Sequence, residues 1–151
     1  MLKISYKGGK DEVRALSTYV KLMRATESVS AHIHRHLSVA GLSASQFGVL
    51  EALYHLGPLN QAELARKILK STGNITMVID NLEKRGLVTR ERKKEDRRHY
   101  AVRLTVEGRK LIADLFPRHA NWITEALKVL SGREQVELGR LCRKLGLSAQ
   151  S

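Results

Sequence analysis

The chain has 151 residues, with 27 Lys or Arg against 15 Asp or Glu and a formal charge of +12. Such a length suits one domain that buries roughly 70% of its unfolded surface, and 42% apolar with 28% charged residues excludes a disordered or fibrous chain. A single cysteine, Cys142, excludes an internal disulfide framework and a four-Cys zinc ribbon. No run approaches about 18 apolar residues, and residues 1–10 lack the apolar centre of a signal peptide, so a soluble cytoplasmic protein is expected. The charge points to a polyanionic partner, nucleic acid or a membrane surface, without choosing between them.

From residue 11 to about 38, Val13, Leu16, Val20 and Met23 form a helical stripe that Val29, Ile33 and Leu37 continue, and Gly41 ends it. Ser43 with Gln46 three residues on is a capping box for a second helix carrying Phe47, Leu50, Leu53 and Tyr54, closed by Gly57-Pro58. Asn60 with Glu63 opens a short third helix, with Leu64, Ala65 and Ile68 on its inner side. Ser71 or Thr72 caps a fourth, with a stripe of Ile75, Val78, Ile79 and Leu82 and a stop at Gly86.

The period then falls from about 3.6 to 2. Residues 87–91 and 99–105 read as strands, with the polar loop Arg92 to Arg98 between them. Helical spacing returns at Val106 through Leu111, Ile112 and Leu115 and resumes with Trp122, Ile123 and Leu127, with a kink or break expected at Pro117. Ser131 and Glu134 cap a last helix bearing Leu138, Leu141 and Leu145. The fold class is mainly α with one β-hairpin.

Two short helices joined by a tight turn and followed by a basic hairpin have the order of a winged helix-turn-helix. A helix fits the major groove, and a narrow basic ribbon lies along phosphates or enters the minor groove. Between Lys84 and Arg103 stand nine basic and three acidic residues, 9 − 3 = +6, half of the net charge in 20 residues. On the fourth helix, Gly73, Thr76, Met77, Asp80 and Lys84 point away from the apolar stripe, with Asn74 and Asn81 on one flank. Asn pairs with adenine, and Thr and Met can contact a thymine methyl. Asp80 reads as structural, because a carboxylate facing phosphates is unfavourable.

Asp96-Arg97-Arg98-His99-Tyr100-Ala101-Val102-Arg103-Leu104-Thr105 resembles the D-R-R-x-x-x-V-x-L-T wing signature of the MarR family of bacterial transcription regulators. The stretch Thr76 to Val88 resembles that family's recognition helix and first wing strand, and Leu42-Ser43 with Gln46-Phe47 and Leu50 resembles its second helix. The resemblance implies a homodimer built on helices at 11–40 and 106–147, around a winged-helix lobe at 43–105. It implies a sequence-specific regulator, commonly a repressor, on pseudo-palindromic double-stranded DNA, released by a small aromatic or phenolic ligand. It places Ser71, Thr72, Asn74, Thr76, Met77, Asn81, Lys84, Arg92, Lys93, Lys94, Arg97 and Arg98 at the DNA. Arg97 enters the minor groove and an Asp96–Arg98 salt bridge braces the wing, with the converse roles of the two arginines also open. The chain departs from many relatives at Met77, where they carry Arg. Gly73-Asn74-Ile75-Thr76 and Leu115-Phe116-Pro117-x-His119 resemble a subgroup associated with quinone and phenol stress.

A first helix of about 28 residues, near 40 Å long, also offers more apolar stripe than one small lobe covers, and a second copy is the economical cover. Tyr19, Phe47, Tyr54, His119 and Trp122 are candidates to line a ligand pocket. His32 and His36 share a helical face at metal-compatible spacing but lack further ligands, so no metal or other cofactor is expected. Cys142 is expected to be a packed small apolar residue rather than a redox switch. No nucleophile elbow, phosphate loop, dinucleotide motif or paired carboxylates are present, so the chain is not expected to be an enzyme. The alternative to a DNA regulator is a basic winged-helix module for RNA or the ribosome.

Overall fold

The computed structural model describes residues 5–68, 72–93 and 96–148, with the backbone alone for residues 72, 73, 93 and 96–99. The described elements are α1 (Lys10–Val39), α2 (Ala44–Leu56), β1 (Leu59–Asn60), α3 (Gln61–Lys67), α4 (Thr72–Lys84), β2 (Val88–Lys93), β3 (Asp96–Leu104), α5 (Val106–Leu127) and α6 (Gly132–Ser148).

Local chemistry sets most of these boundaries. The Gly9 N–H donates to Glu12 Oε2 at 3.0 Å at the start of α1. Ser43 and Gln46 exchange two bonds across the start of α2, and Asn60 and Glu63 do the same for α3. Ser131 and Glu134 cap α6 as expected. Helices α1 and α4 end in the same way. Gly41 (φ +77°) and Gly86 (φ +71°) take the left-handed conformation, while Leu42 N–H reaches Leu37 O and Leu87 N–H reaches Leu82 O, each at 3.0 Å. These are Schellman closures, and in each the two leucines joined by that bond are buried.

The core gathers Ile33 and Leu37 of α1, Phe47, Val49, Leu50 and Leu53 of α2, Leu64 of α3, Ile75, Ile79 and Leu82 of α4, Val88, Val102 and Leu104 of the sheet, and Ile112 and Leu115 of α5. Each fully buried Leu or Ile contributes about 1.5–3 kcal/mol. The sheet has strand order β1-β3-β2, antiparallel throughout. β1, which pairs Leu59 with Val102, is too short to leave a period in the sequence.

Three expectations are corrected. The hairpin has no loop from 92 to 98: β2 runs to Lys93, β3 starts at Asp96, and the ladder continues past Arg92↔Tyr100 to Lys93↔Asp96 with a register shift. The sequence from Arg92 to His99 is polar throughout, so this outer ladder leaves no apolar alternation to mark its strands. α5 is not interrupted at Pro117. Pro117 and Ala113, whose carbonyl loses its amide partner to the proline, both sit on the exposed face, while Ile112, Leu115 and His119 hold the opposite face in the core. Cys142 is exposed rather than packed, because every described residue of α6 is exposed in the single chain.

The junction between wing and α5 is tight. Thr105 Oγ1 donates to Gly86 O at 2.6 Å and accepts from Gly108 N–H at 3.0 Å, and Thr105 N–H donates to Leu87 O at 3.1 Å. A Cβ on Gly108 would lie 2.9 Å from the Leu87 carbonyl carbon and closer still to its oxygen. Gly108→Ala is therefore expected to lower stability by about 1–3 kcal/mol, through overpacking against backbone. Urea unfolding measures this, and an unchanged midpoint would show that the junction yields freely.

Candidate nucleic-acid interface

Helix α4 is amphipathic in a way that settles its orientation. Ile75, Ile79 and Leu82 are fully buried, and Asn74, Met77, Asn81 and Lys84 form the exposed stripe on the other side. Met77, at 72% exposure, stands in the middle of that stripe. Thr76, expected to point outward, is instead half-buried, and its Oγ1 accepts from Gln61 Nε2 of α3. Asn81 is also engaged, with its Oδ1 accepting from Gln46 Nε2 of α2 at 2.7 Å. Helix α4 is thus backed by side-chain bonds from the two preceding helices.

Asp80 has the structural role expected of it. The Arg90 side chain, 20% exposed, donates from Nη2 to Asp80 Oδ1 at 2.6 Å and from Nη1 to Glu83 Oε1 at 3.1 Å. The Arg90 N–H also donates to Glu83 Oε2 at 3.2 Å. One guanidinium of β2 therefore neutralises two carboxylates of α4 and ties the base of the wing to that helix. Sequence reading counted Arg90 only among the nine basic residues and missed its two carboxylate partners, which spacing along the strand does not reveal.

Several cations of the basic window have protein partners. Arg85 Nη1 donates to Gly41 O at 2.8 Å, Arg103 Nε pairs with Glu91 Oε2 at 3.3 Å, and Arg92 Nε donates to the Tyr100 hydroxyl at 2.9 Å with its guanidinium 5.3 Å from the ring centre. Lys84 is exposed on the outer stripe. Ser71 and Lys94 lie outside the described residues, as do the side chains of Thr72, Lys93, Asp96, Arg97 and Arg98, so the Asp96–Arg98 brace falls there too.

A second cluster lies where α1, α2 and α5 meet. Phe47 and His119 approach with ring centres 4.3 Å apart, His36 stacks on Trp122 at 4.3 Å, and His32 meets His36 edge-on at 4.8 Å. His55, Phe116 and Tyr54 extend it. Four of the five candidate pocket residues thus gather here. Tyr19 is elsewhere, exposed on α1, and His36, His55 and Phe116 were missed because their helical spacing matches ordinary packing. His119 is 8% exposed, and its Nδ1 is buried without a partner among the described residues. Burial pushes its pKa below the ordinary histidine value, against a smaller opposing pull from Glu51, so the ring is neutral near pH 7.

A compact helical lobe with a helix exposed along one polar stripe beside a basic two-stranded ribbon defines a winged-helix DNA-binding protein. The family model described as "MarR family" matches residues 42–100. The HTH-type transcriptional regulator MhqR of Bacillus subtilis is 36% identical over 137 residues, covering 91% of this chain and 94% of that protein. This chain belongs to the MarR family of helix-turn-helix transcriptional regulators, and it is a DNA-binding regulator, not an enzyme. BpsR of Bordetella bronchiseptica, whose DNA binding is regulated by 6-hydroxynicotinic acid, superposes with a TM-score of 0.78 at 28% identity over 86% of this chain and 98% of that one. Sco3205 of Streptomyces coelicolor, solved in complex with DNA, shares the fold with a TM-score of 0.86 at 24% identity over 99% and 94% of the two chains. No helix among the described residues is long and apolar enough to cross a membrane.

Two measurements probe this geometry. Arg90→Ala should lower stability by about 1 kcal/mol, the discounted worth of half-exposed ion pairs. It should weaken duplex binding further by leaving Asp80 and Glu83 unneutralised beside phosphates, and equal affinity at low salt would refute that role. Since folded His119 resists protonation, the unfolded chain takes up a proton first as pH falls below about 6.5, and stability declines there. His119→Phe should flatten the stability slope between pH 7 and 5, and an unaltered slope would assign it to other groups.

Proposed function

We propose that the chain acts as a homodimeric repressor on a pseudo-palindromic operator and releases it on binding a small hydroxylated aromatic compound. The observation that carries the reading is the outer stripe of α4, held clear of the core beside the basic hairpin. In this reading α4 enters the major groove, Asn74, Met77 and Asn81 face base edges, and Ser71, Thr72, Lys84, Arg92, Lys93, Lys94 and Arg98 face phosphates, with Thr76 acting from behind the stripe. Arg97 reaches the minor groove.

Apolar residues left uncovered on the single chain favour a second copy. Leu16 and Met23 of α1 and Leu138, Leu141 and Leu145 of α6 are exposed, and helices from 11–40 and 106–147 of two protomers would cover one another. Paired recognition helices then fall about one DNA turn, roughly 34–36 Å, or a multiple apart. For the ligand, the unpartnered Nδ1 of neutral His119, walled by Phe47, Phe116 and Trp122, suits a phenolic O–H donor. The compound that regulates DNA binding by BpsR, 6-hydroxynicotinic acid, has that chemistry.

Selection of duplexes from a random pool, with sedimentation of the free protein, tests the proposal. A dimer that enriches an inverted repeat, with affinity falling steeply as salt rises, is the expected result. Arg97→Ala should cost about 1–3 kcal/mol on that duplex. A monomer that prefers structured RNA would overturn the reading. Titrating salicylate or a hydroquinone into the complex should release DNA, and His119→Phe should remove the response. Retention of DNA with all such compounds would remove the ligand from the mechanism.

A further inference from the structure

The hydrogen bonds that reach α4 from α2 assign a direction to Asn81. A backbone N–H can only donate, so the Gln46 atom 2.9 Å from Ser43 N is its carbonyl oxygen, Oε1. The opposite end of that amide, Nε2, is then a donor, and it meets Asn81 Oδ1 at 2.7 Å. The Gln46 N–H is tied in turn to Ser43 Oγ at 3.1 Å, so the capping box holds this residue from both ends. Turning the Gln46 amide over would set its NH2 against the Ser43 N–H, two donors face to face. Asn81 therefore has its oxygen committed to the lobe, and its Nδ2 is the end left for a partner on the exposed stripe.

We propose that Gln46 is a positioning residue that makes Asn81 a donor-only reader of DNA. This deepens the reading of α4 as the recognition helix and rests on it. Asparagine pairs with adenine by using both ends of its amide, accepting from N6 and donating to N7. Oδ1 keeps a second lone pair, but the Gln46 bond turns that oxygen toward the lobe and Nδ2 outward, which disfavours presenting both ends to one base. Asn81 instead suits a base edge made of acceptors, and in the major groove guanine presents two, N7 and O6. The simpler alternative is a bridge that only holds α2 against α4, and base preference separates the two.

The experiment compares duplexes selected from a random pool by the full-length wild-type protein, Asn81→Ala and Gln46→Glu. A glutamate at 46 still accepts from the Ser43 N–H, which preserves the cap. It now offers only acceptors to Asn81, so the amide turns over and Oδ1 faces outward. The wild type should enrich guanine at one position of each half-site, and Asn81→Ala should lose that preference alone. Gln46→Glu should favour adenine or cytosine there, the bases that present an amino group, with the rest of the motif unchanged. The affinity ratio of the guanine duplex to the adenine duplex should shift by about tenfold between wild type and Gln46→Glu. Because a ratio is read, the uniform loss caused by the added negative charge cancels.

Circular dichroism and the unfolding midpoint check that each variant folds. Should Gln46→Glu not fold, Gln46→Leu serves in its place, and it should reduce the ratio to within about twofold of unity. The same preference in wild type and both Gln46 variants, or its persistence in Asn81→Ala, overturns the inference while leaving α4 as the recognition helix. A wild-type protein that enriches no duplex motif overturns that reading and this inference together.

Discussion

Burial of Ile75, Ile79 and Leu82 is the constraint on which the interface depends. Three side chains excluded from water at i, i+4 and i+7 contribute about 1.5–3 kcal/mol each. Rotating α4 by one residue, about 100°, would expose them and sink polar groups in their place. The cost of that rotation exceeds anything the outer face could return. Asn74, Met77, Asn81 and Lys84 are therefore aimed by residues that never meet a partner, and the bonds from Gln61 and Gln46 refine what burial has already oriented.

Electrostatics is arranged around the same helix. A DNA-facing element with two carboxylates on its flank would repel phosphates, yet Asp80 and Glu83 are both paired with Arg90. The arginine spends its charge inside the protein and, in doing so, fixes the wing to α4. Net charge counted along the chain thus overstates what reaches a partner, since Arg85 and Arg103 also have partners within the lobe. Their role is to shape the ribbon and its junctions, while the exposed Lys84 lies on the face itself.

The aromatic and histidine cluster lies where α1, α2 and α5 meet. α2 contributes Phe47 to this cluster and Gln46 to the support of α4, on consecutive residues. A displacement of α2 would be felt at both. In the proposed mechanism, a ligand against His119 and a recognition helix backed by Gln46 would share one element, α2, which offers a contiguous path for coupling.

Much of this was readable in the chain as written. Helix limits follow from capping boxes at Ser43, Asn60 and Ser131 and from glycines at 41 and 86, because those signals act over a few residues. The buried stripe of α4 follows from its period, and the identity of the lobe from the wing motif. Neighbours in space decided the remainder. The ladder beyond Arg92, the continuity of α5 through Pro117, the bond of Gln46 to Asn81 across 35 residues and the sharing of Arg90 between two carboxylates each depend on partners brought together only by packing. Periodicity reports which face of an element avoids water, and it is silent about which polar atoms then find one another.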